Sequence, residues 1–218
     1  MAAYSKTLLC DSGVFSYTTE DPYRIWGIST RAHNTVEIDE NNQKKSDFVN
    51  EVPQGKIHEI YDDEKLSRVV QSSYAYEACE HKRSIIFIKP DIFIVKDELI
   101  PNDDKCHTYD VLWHFLPNSN VVCSDNICKT NFENSANLNM IIIGDVQNEI
   151  LNGYVDLSYG QIEESQYLRS RIASGRNESV ITVLIPQKKG EMRNVTAYCE
   201  NSELVIRENE KIIFRKVV

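Results

Sequence analysis

Short hydrophobic segments separated by polar turns run through most of the chain. Residues 84–88 (SIIFI) and 92–96 (IFIVK) flank the tripeptide KPD at 89–91, which is typical of a tight turn between antiparallel strands. Residues 109–115 (YDVLWHF) and 137–143 (NLNMIII) alternate polar and apolar positions before a turn. Alternation of this kind predicts β-strands with one buried face.

Turn sequences recur about every 8 to 12 residues, which is the spacing typical of β-sandwiches and barrels. The best helix candidate, residues 62–70 (DDEKLSRVV), fits a turn followed by a strand equally well. We therefore predict an all-β fold, a large antiparallel, supersandwich-like β-sandwich with few or no helices, as a single domain over residues 1–218. Further strands are predicted at 180–185, 194–199, 203–207 and 211–217.

The composition is that of a folded, acidic protein. The 218 residues are 41% hydrophobic and have a net charge of −9. Because an acidic surface repels a phosphate backbone, we expect no nucleic-acid partner. No stretch approaches the roughly 18 apolar residues of a membrane span, and the first residues lack the long apolar segment of a signal peptide. We expect no membrane partner, and the cellular location stays open.

Six cysteines are spaced irregularly along the chain. A chain of this length can bury a core without disulfide bonds. The closest pair, Cys123 and Cys128, has no second pair nearby that would complete a zinc site. We therefore expect free and mostly buried thiols.

The segment 11–43 combines turn sequences with chemically useful side chains. It begins with DSG, which is typical of an Asx turn that is closed by a glycine. Phe15 and Tyr17 then alternate as in a half-buried strand. The run TRAHNTV places His33 beside Asn34 at the start of a further short strand.

This ordered set resembles the start of the C-terminal β-domain of the heparinase II/III-like polysaccharide lyases. The matching residues are DSG at 11–13, Tyr17, Arg24, STRAHNTV at 29–36, Asp39 and Gln43. The tripeptides HKR and WHF further along the chain also resemble the family. The resemblance covers most of residues 5–120, and beyond them the sequence has only general β-sandwich character.

The resemblance implies a reaction and roles for two residues. These lyases cleave uronic-acid-containing polysaccharides by β-elimination, in which a base removes the C5 proton and the oxygen at C4 leaves. Because the uronate charge opposes removal of that proton, a polar or cationic group must neutralise it. In the family, a histidine of the β-domain faces a catalytic tyrosine, and an asparagine or histidine, from a helical toroid. His33 matches that β-domain histidine, and Asn34 is expected to orient it or to contact sugar.

The helical toroid that precedes this segment in the family has no counterpart in the chain. We therefore expect the C-terminal domain alone, whose partners are an acidic polysaccharide and the missing N-terminal toroid, and which shows no turnover in isolation. The alternative is a non-catalytic carbohydrate-binding or structural β-sandwich module.

Other side chains are candidates for substrate contact, and each has a structural alternative. Arg24 and Arg31 can donate paired hydrogen bonds to a carboxylate or form internal ion pairs. Tyr74 and Tyr76 are predicted on one strand face, where they can stack on sugar rings or merely pack. His114 is the natural candidate ligand for a divalent metal, but a sheet-face histidine explains it better, because no second histidine stands at ligand spacing. No metal site is expected.

Overall fold

Antiparallel strands make up nearly all of the regular structure in the computed structural model, which describes residues 1–43, 55–158 and 160–217. Besides a 3₁₀ turn at Thr30–Ala32, the only helix in these ranges is α1, Pro22–Gly27, and none there is long and apolar enough to cross a membrane. The strands are β1 (Ala2–Ala3), β2 (Lys6–Thr7), β3 (Val36–Ile38), β4 (Gly55–Asp62), β5 (Leu66–Ser73), β6 (Cys79–Ile88), β7 (Ile92–Pro101), β8 (His107–His114), β9 (Val122–Ser124), β10 (Ile127–Lys129), β11 (Asn137–Ile143), β12 (Gln147–Asp156), β13 (Ile162–Ser174), β14 (Glu178–Gln187), β15 (Val195–Glu200), β16 (Glu203–Glu208) and β17 (Lys211–Val217).

The strands form three layered sheets and one small hairpin. The middle sheet has eight strands in the order β4-β5-β6-β7-β14-β11-β10-β9, and its neighbours have the orders β12-β13-β8-β3 and β15-β16-β17. One hydrophobic core joins the middle sheet to the four-stranded sheet, and a second core joins it to the three-stranded sheet. The predicted all-β antiparallel sandwich is confirmed.

Strand β7 shows why some strands are apolar along almost their whole length. Val95 and Leu99 belong to the core against the four-stranded sheet, whereas Ile92 and Ile94 belong to the core against the three-stranded sheet. Successive side chains of a strand point to opposite faces, so a strand between two other sheets needs apolar side chains on both faces.

Two turn predictions can be compared directly with the structure. The hairpin at residues 89–91 is confirmed, since β6 and β7 pair up to the positions that flank it, with a cis bond between Lys89 and Pro90. Residues 62–70 form a turn followed by a strand, and the helical interpretation is wrong. Asp63 Oδ1 accepts hydrogen bonds of 2.7 Å from the N–H groups of Lys65 and Leu66, a local pairing that competes with a helix.

Two predicted strand assignments are also wrong. Phe15 and Tyr17 lie outside any strand: Phe15 is buried against α1, so closely that a Cβ at Gly27 would lie 2.4 Å from its ring, while Tyr17 is exposed. Strand β5 ends at Ser73, so Tyr74 and Tyr76 do not share a strand face. A short polar–apolar alternation does not distinguish a strand from an irregular segment that is anchored by one buried ring.

The expectation of free and mostly buried thiols is only partly met. Cys123 and Cys128 stand opposite each other on β9 and β10 and form a disulfide. The remaining four cysteines are free, but only Cys79 is fully buried, whereas Cys106 and Cys199 are exposed. The hairpin register that brings Cys123 and Cys128 together depends on a turn that the sequence did not reveal.

A buried ionic network lies on the face of the middle sheet that packs against the four-stranded sheet, here called its inner face. Asp97 is fully buried and accepts hydrogen bonds of 2.6 Å from His81 Nε2 and from Arg83 Nε. Burial alone would raise the pKa of Asp97, but the Arg83 guanidinium and His81 outweigh it and lower the pKa to about 2. Arg83 also donates a 2.7 Å hydrogen bond to the carbonyl oxygen of Asn34, which ties the network to the segment that contains His33.

Replacing Asp97 with asparagine is expected to destabilise the fold by about 3–5 kcal/mol, because it leaves the Arg83 charge buried without a counter-ion. Urea unfolding at neutral pH measures this change, and Asp145→Asn on an exposed turn is the matched control. In the unchanged protein the contribution of Asp97 is fully present above pH 3.8 and is lost as the pH falls toward 2. Equal stability of the two variants would contradict the role given to this network.

Candidate functional site

Three segments meet beside the edge of the four-stranded sheet and enclose a shallow depression of about 270 Å³, here called the His33 depression. They are the turn at 11–13, helix α1 and the loop that follows the 3₁₀ turn. The residues that line it are Asp11, Gly13, Val14, Phe15, Ser16, Arg24, Gly27, Ile28 and His33.

The turn at 11–13 has the predicted Asx geometry. Asp11 Oδ1 accepts a 3.1 Å hydrogen bond from the N–H of Gly13. Gly13 has a φ of 85°, and a Cβ there would lie 2.4 Å from the carbonyl oxygen of Asp156, so only glycine fits. Ser12 is buried and donates a 2.6 Å hydrogen bond to the carbonyl oxygen of Ala32. This bond holds the turn against the loop that follows the 3₁₀ turn and contains His33, here called the His33 loop.

The side chain of Asn34 holds the same two segments against strand β8. Its Nδ2 donates to the carbonyl oxygen of Cys10, and its Oδ1 accepts from the N–H of His114, both at 2.7 Å. Both polar atoms of the amide are therefore engaged within the protein. One N–H of the amide and one acceptor site of its oxygen are thus used to hold these segments together.

His33 and Asp11 form a close pair at the mouth of the depression. The distance from His33 Nδ1 to Asp11 Oδ2 is 2.6 Å, and the side chains are 38% and 60% exposed. The hydrogen bond to Asp11 raises the pKa of His33 above its ordinary 6.5, although burial acts in the opposite direction. The same bond lowers the pKa of Asp11. The pair therefore presents an imidazolium beside a carboxylate over a wider pH range than an isolated histidine would.

His114 lies behind this pair in a very different environment. It is almost completely buried, its ring stacks on Tyr167 with 5.0 Å between centroids, and its Nε2 donates to the carbonyl oxygen of Arg31 at 2.9 Å. Burial lowers the pKa of His114 to about 4, so it is neutral at physiological pH. Among the described residues there is no group of three or more His, Cys, Asp or Glu side chains that could hold a metal ion.

The two candidate arginines differ in their availability. Arg24 lines the His33 depression and donates a 2.9 Å hydrogen bond from Nη1 to the carbonyl oxygen of Ser16. Arg31 donates from Nε to Glu37 at 2.9 Å, and Glu37 is buried. The structure therefore brings Arg24, but not Arg31, to the same depression as His33.

The two candidate tyrosines do not lie in the His33 depression. Tyr76 is buried, and its hydroxyl donates to the carbonyl oxygen of Asn41 at 2.9 Å, as expected of a packing residue. Tyr74 is 42% exposed elsewhere on the surface. The sequence interpretation also missed Asp11 as the partner of His33. Its motif indicated only a turn, and nothing in the spacing of 22 residues revealed the contact.

The fold and the site together define a multi-sheet β-domain with an exposed Asp–His pair in a surface depression. A family profile described as "Heparinase II/III-like, C-terminal" matches residues 1–205. The chain belongs to this family, the C-terminal domain of a family of polysaccharide lyases.

Individual relatives agree with this assignment. The chain is 25% identical over 146 residues to a heparin-sulfate lyase from Bacteroides stercoris, a match that covers 64% of the chain and 20% of that protein. A heparan sulfate lyase, HepC, from Pedobacter heparinus superposes with a TM-score of 0.83 at 18% identity, and a heparinase III with 0.79 at 21%. Each superposition covers 98% of the chain but 34% of the other protein, so the chain spans about a third of the length of these lyases.

Replacing Asp11 with asparagine is expected to lower the pKa of His33 toward 6.5, because the amide can still close the Asx turn but no longer offers a charged acceptor. A pH titration of the imidazole nitrogens by NMR measures this value, with Asp145→Asn as the control. An unchanged pKa of His33 in Asp11→Asn would show that the pair is not formed in solution.

Proposed function

We propose that this chain is the β-domain of a polysaccharide lyase that acts by β-elimination on a uronic-acid-containing polysaccharide, with the His33 depression as one side of the substrate cleft. The observation that best supports the proposal is the exposed pair of His33 and Asp11 in that depression. Family membership supports the class of reaction, and the similarity to a heparin-sulfate lyase and a heparan sulfate lyase favours heparan sulfate as the substrate.

In the proposed mechanism, the His33 imidazolium binds the uronate carboxylate. A base removes the C5 proton, the electron pair of that bond forms the C4–C5 double bond, and the C4–O bond breaks with its electrons on the leaving oxygen. Negative charge builds up on the carboxylate as the proton leaves. A fixed cation beside it therefore stabilises the transition state more than it stabilises the bound substrate. Asp11 raises the pKa of His33, which favours the protonated imidazole, and its hydrogen bond to Nδ1 orients the ring.

The other candidates have different places in this proposal. Arg24 lies within the depression and is proposed to contact an acidic group of the substrate. Asn34 is proposed to position the His33 loop, since both atoms of its amide are engaged. Arg31 and Tyr76 are committed to internal contacts, and Tyr74 is proposed only as a surface contact for a longer saccharide.

The base is proposed to come from a helical domain that covers the depression. Several apolar side chains at or near the depression are exposed in the chain: Val14 (53%), Ile25 (56%) and Ile28 (52%). Exposed apolar clusters of this kind are typical of surfaces that contact another domain. The chain also spans only about a third of the lyases it resembles. Together these observations support a cleft between two domains.

Replacing His33 with alanine in a lyase that joins this chain to its helical domain is expected to lower kcat by about 10²–10³-fold, the usual loss when one charge-stabilising donor is removed. The ultraviolet absorbance of the unsaturated uronate product measures the rate. In the unchanged enzyme the rate should fall as the pH rises through the raised pKa of His33, and Asp11→Asn should move that fall to lower pH.

Asp145→Asn is the control and should retain full activity. Full activity of His33→Ala would exclude the catalytic role. The alternative, a non-catalytic carbohydrate-binding module, predicts that the joined protein binds an acidic polysaccharide and forms no unsaturated product.

A further inference from the structure

A second and larger depression lies on the other face of the middle sheet, here called its outer face, which packs against the three-stranded sheet. The depression lies beside the end of that smaller sheet. It encloses about 580 Å³ between strands β4 to β7 and the end of β17. We call it the outer groove and define it by Lys82, Ile94, Lys96, Glu98, Ile100 and Lys216.

The outer groove is separate from the His33 depression. Lys82 lines the groove from β6, whereas the next residue, Arg83, points to the opposite face, where it binds Asp97 and the carbonyl oxygen of Asn34. Alternate residues of a strand lie on opposite faces, so the thickness of the middle sheet stands between the two sites. A ligand in the outer groove would therefore not contact His33.

The groove has an excess of positive charge within an acidic protein. Lys82 and Lys96 place their Nζ atoms 3.3 and 3.1 Å from the carboxylate of Glu98, so two ammonium groups share one negative charge. Lys216 lies at the rim without an ion-pair partner among the described residues. The groove is lined by four cations (Arg68, Lys82, Lys96 and Lys216) and three carboxylates (Glu59, Glu80 and Glu98), a net charge of +1, whereas the whole chain has a net charge of −9.

The floor between these charges is apolar. Ile94 is fully buried beneath the groove, and Ile86 and Ile100 line it beside the lysines. Lysine ammonium groups that surround an apolar floor suit a ligand with a flat C–H face and anionic substituents, and not a compact hydrated ion. A pyranose ring with a sulfate or carboxylate group has this chemistry.

We propose that the outer groove is a second binding site for an acidic saccharide, which holds the polymer on the face opposite the His33 depression. The choice of saccharide rests on the proposed function, whereas the groove and its charges do not. The anionic group of the ligand lies between Lys216 and the pair Lys82 and Lys96, and its ring covers the isoleucine floor.

The test is NMR titration of the chain with three tetrasaccharides: one derived from heparan sulfate, its fully desulfated form and an uncharged cello-oligosaccharide. Shifts are expected at the amides of Lys82, Lys96 and Lys216 with the first. Retention of these shifts with the desulfated form identifies the carboxylate as the recognised group, and their loss identifies the sulfate. Lys216→Glu should weaken binding at the groove by about fivefold or more, as expected for loss of one solvent-screened contact and addition of a repulsive charge.

Lys211→Glu is the matched control, because it makes the same charge reversal at the exposed start of the same strand and should leave the affinity unchanged. Equal binding of the uncharged tetrasaccharide, no shifts at the groove, or no effect of Lys216→Glu would each overturn the proposal. Shifts confined to the His33 depression would overturn it while supporting the proposed function. Groove shifts that persist in His33→Ala would support the groove even if the proposed lyase role of His33 failed.

Discussion

The side-chain amide of Asn34 is the interaction on which the geometry of the candidate site depends. It joins the carbonyl oxygen of Cys10, just before the Asx turn, to the backbone of strand β8, and the backbone carbonyl oxygen of Asn34 accepts a hydrogen bond from Arg83. Without these bonds the turn with Asp11 and the loop with His33 would be connected mainly through the Ser12 hydroxyl. The close pair of His33 and Asp11 is a consequence of this arrangement.

The layered sheets explain how an exposed pair can be held in place. The middle sheet is packed on both faces, and its inner face contains the buried ionic network of Asp97, His81 and Arg83. Arg83 extends from this network to the His33 loop, so the loop is bonded to the buried network as well as to the turn at 11–13. His33 and His114 differ in pKa because they differ in burial and in partner. Burial keeps His114 neutral, whereas the exposed carboxylate of Asp11 favours the charged form of His33.

The sequence predicted the features that depend on neighbouring residues and missed those that depend on distant ones. Strand β11 coincides with the predicted residues 137–143, and the turn at 89–91 is where it was expected, because alternation and turn chemistry are local. The contacts between His33 and Asp11 and between Arg83 and Asn34 join residues 22 and 49 positions apart, and no local pattern reveals them. The sequence left open whether Tyr76 stacks on sugar or packs, because its burial depends on packing between segments that are distant in sequence.

The pKa of His33 in Asn34→Ala, measured by NMR titration, tests the central claim most directly. Asp11 and His33 are both unchanged in this variant, so only the support beneath them is altered. If the amide of Asn34 holds the pair together, the pKa of His33 falls toward 6.5 while the protein remains folded. A pKa that stays as high as in the unchanged protein would contradict the account.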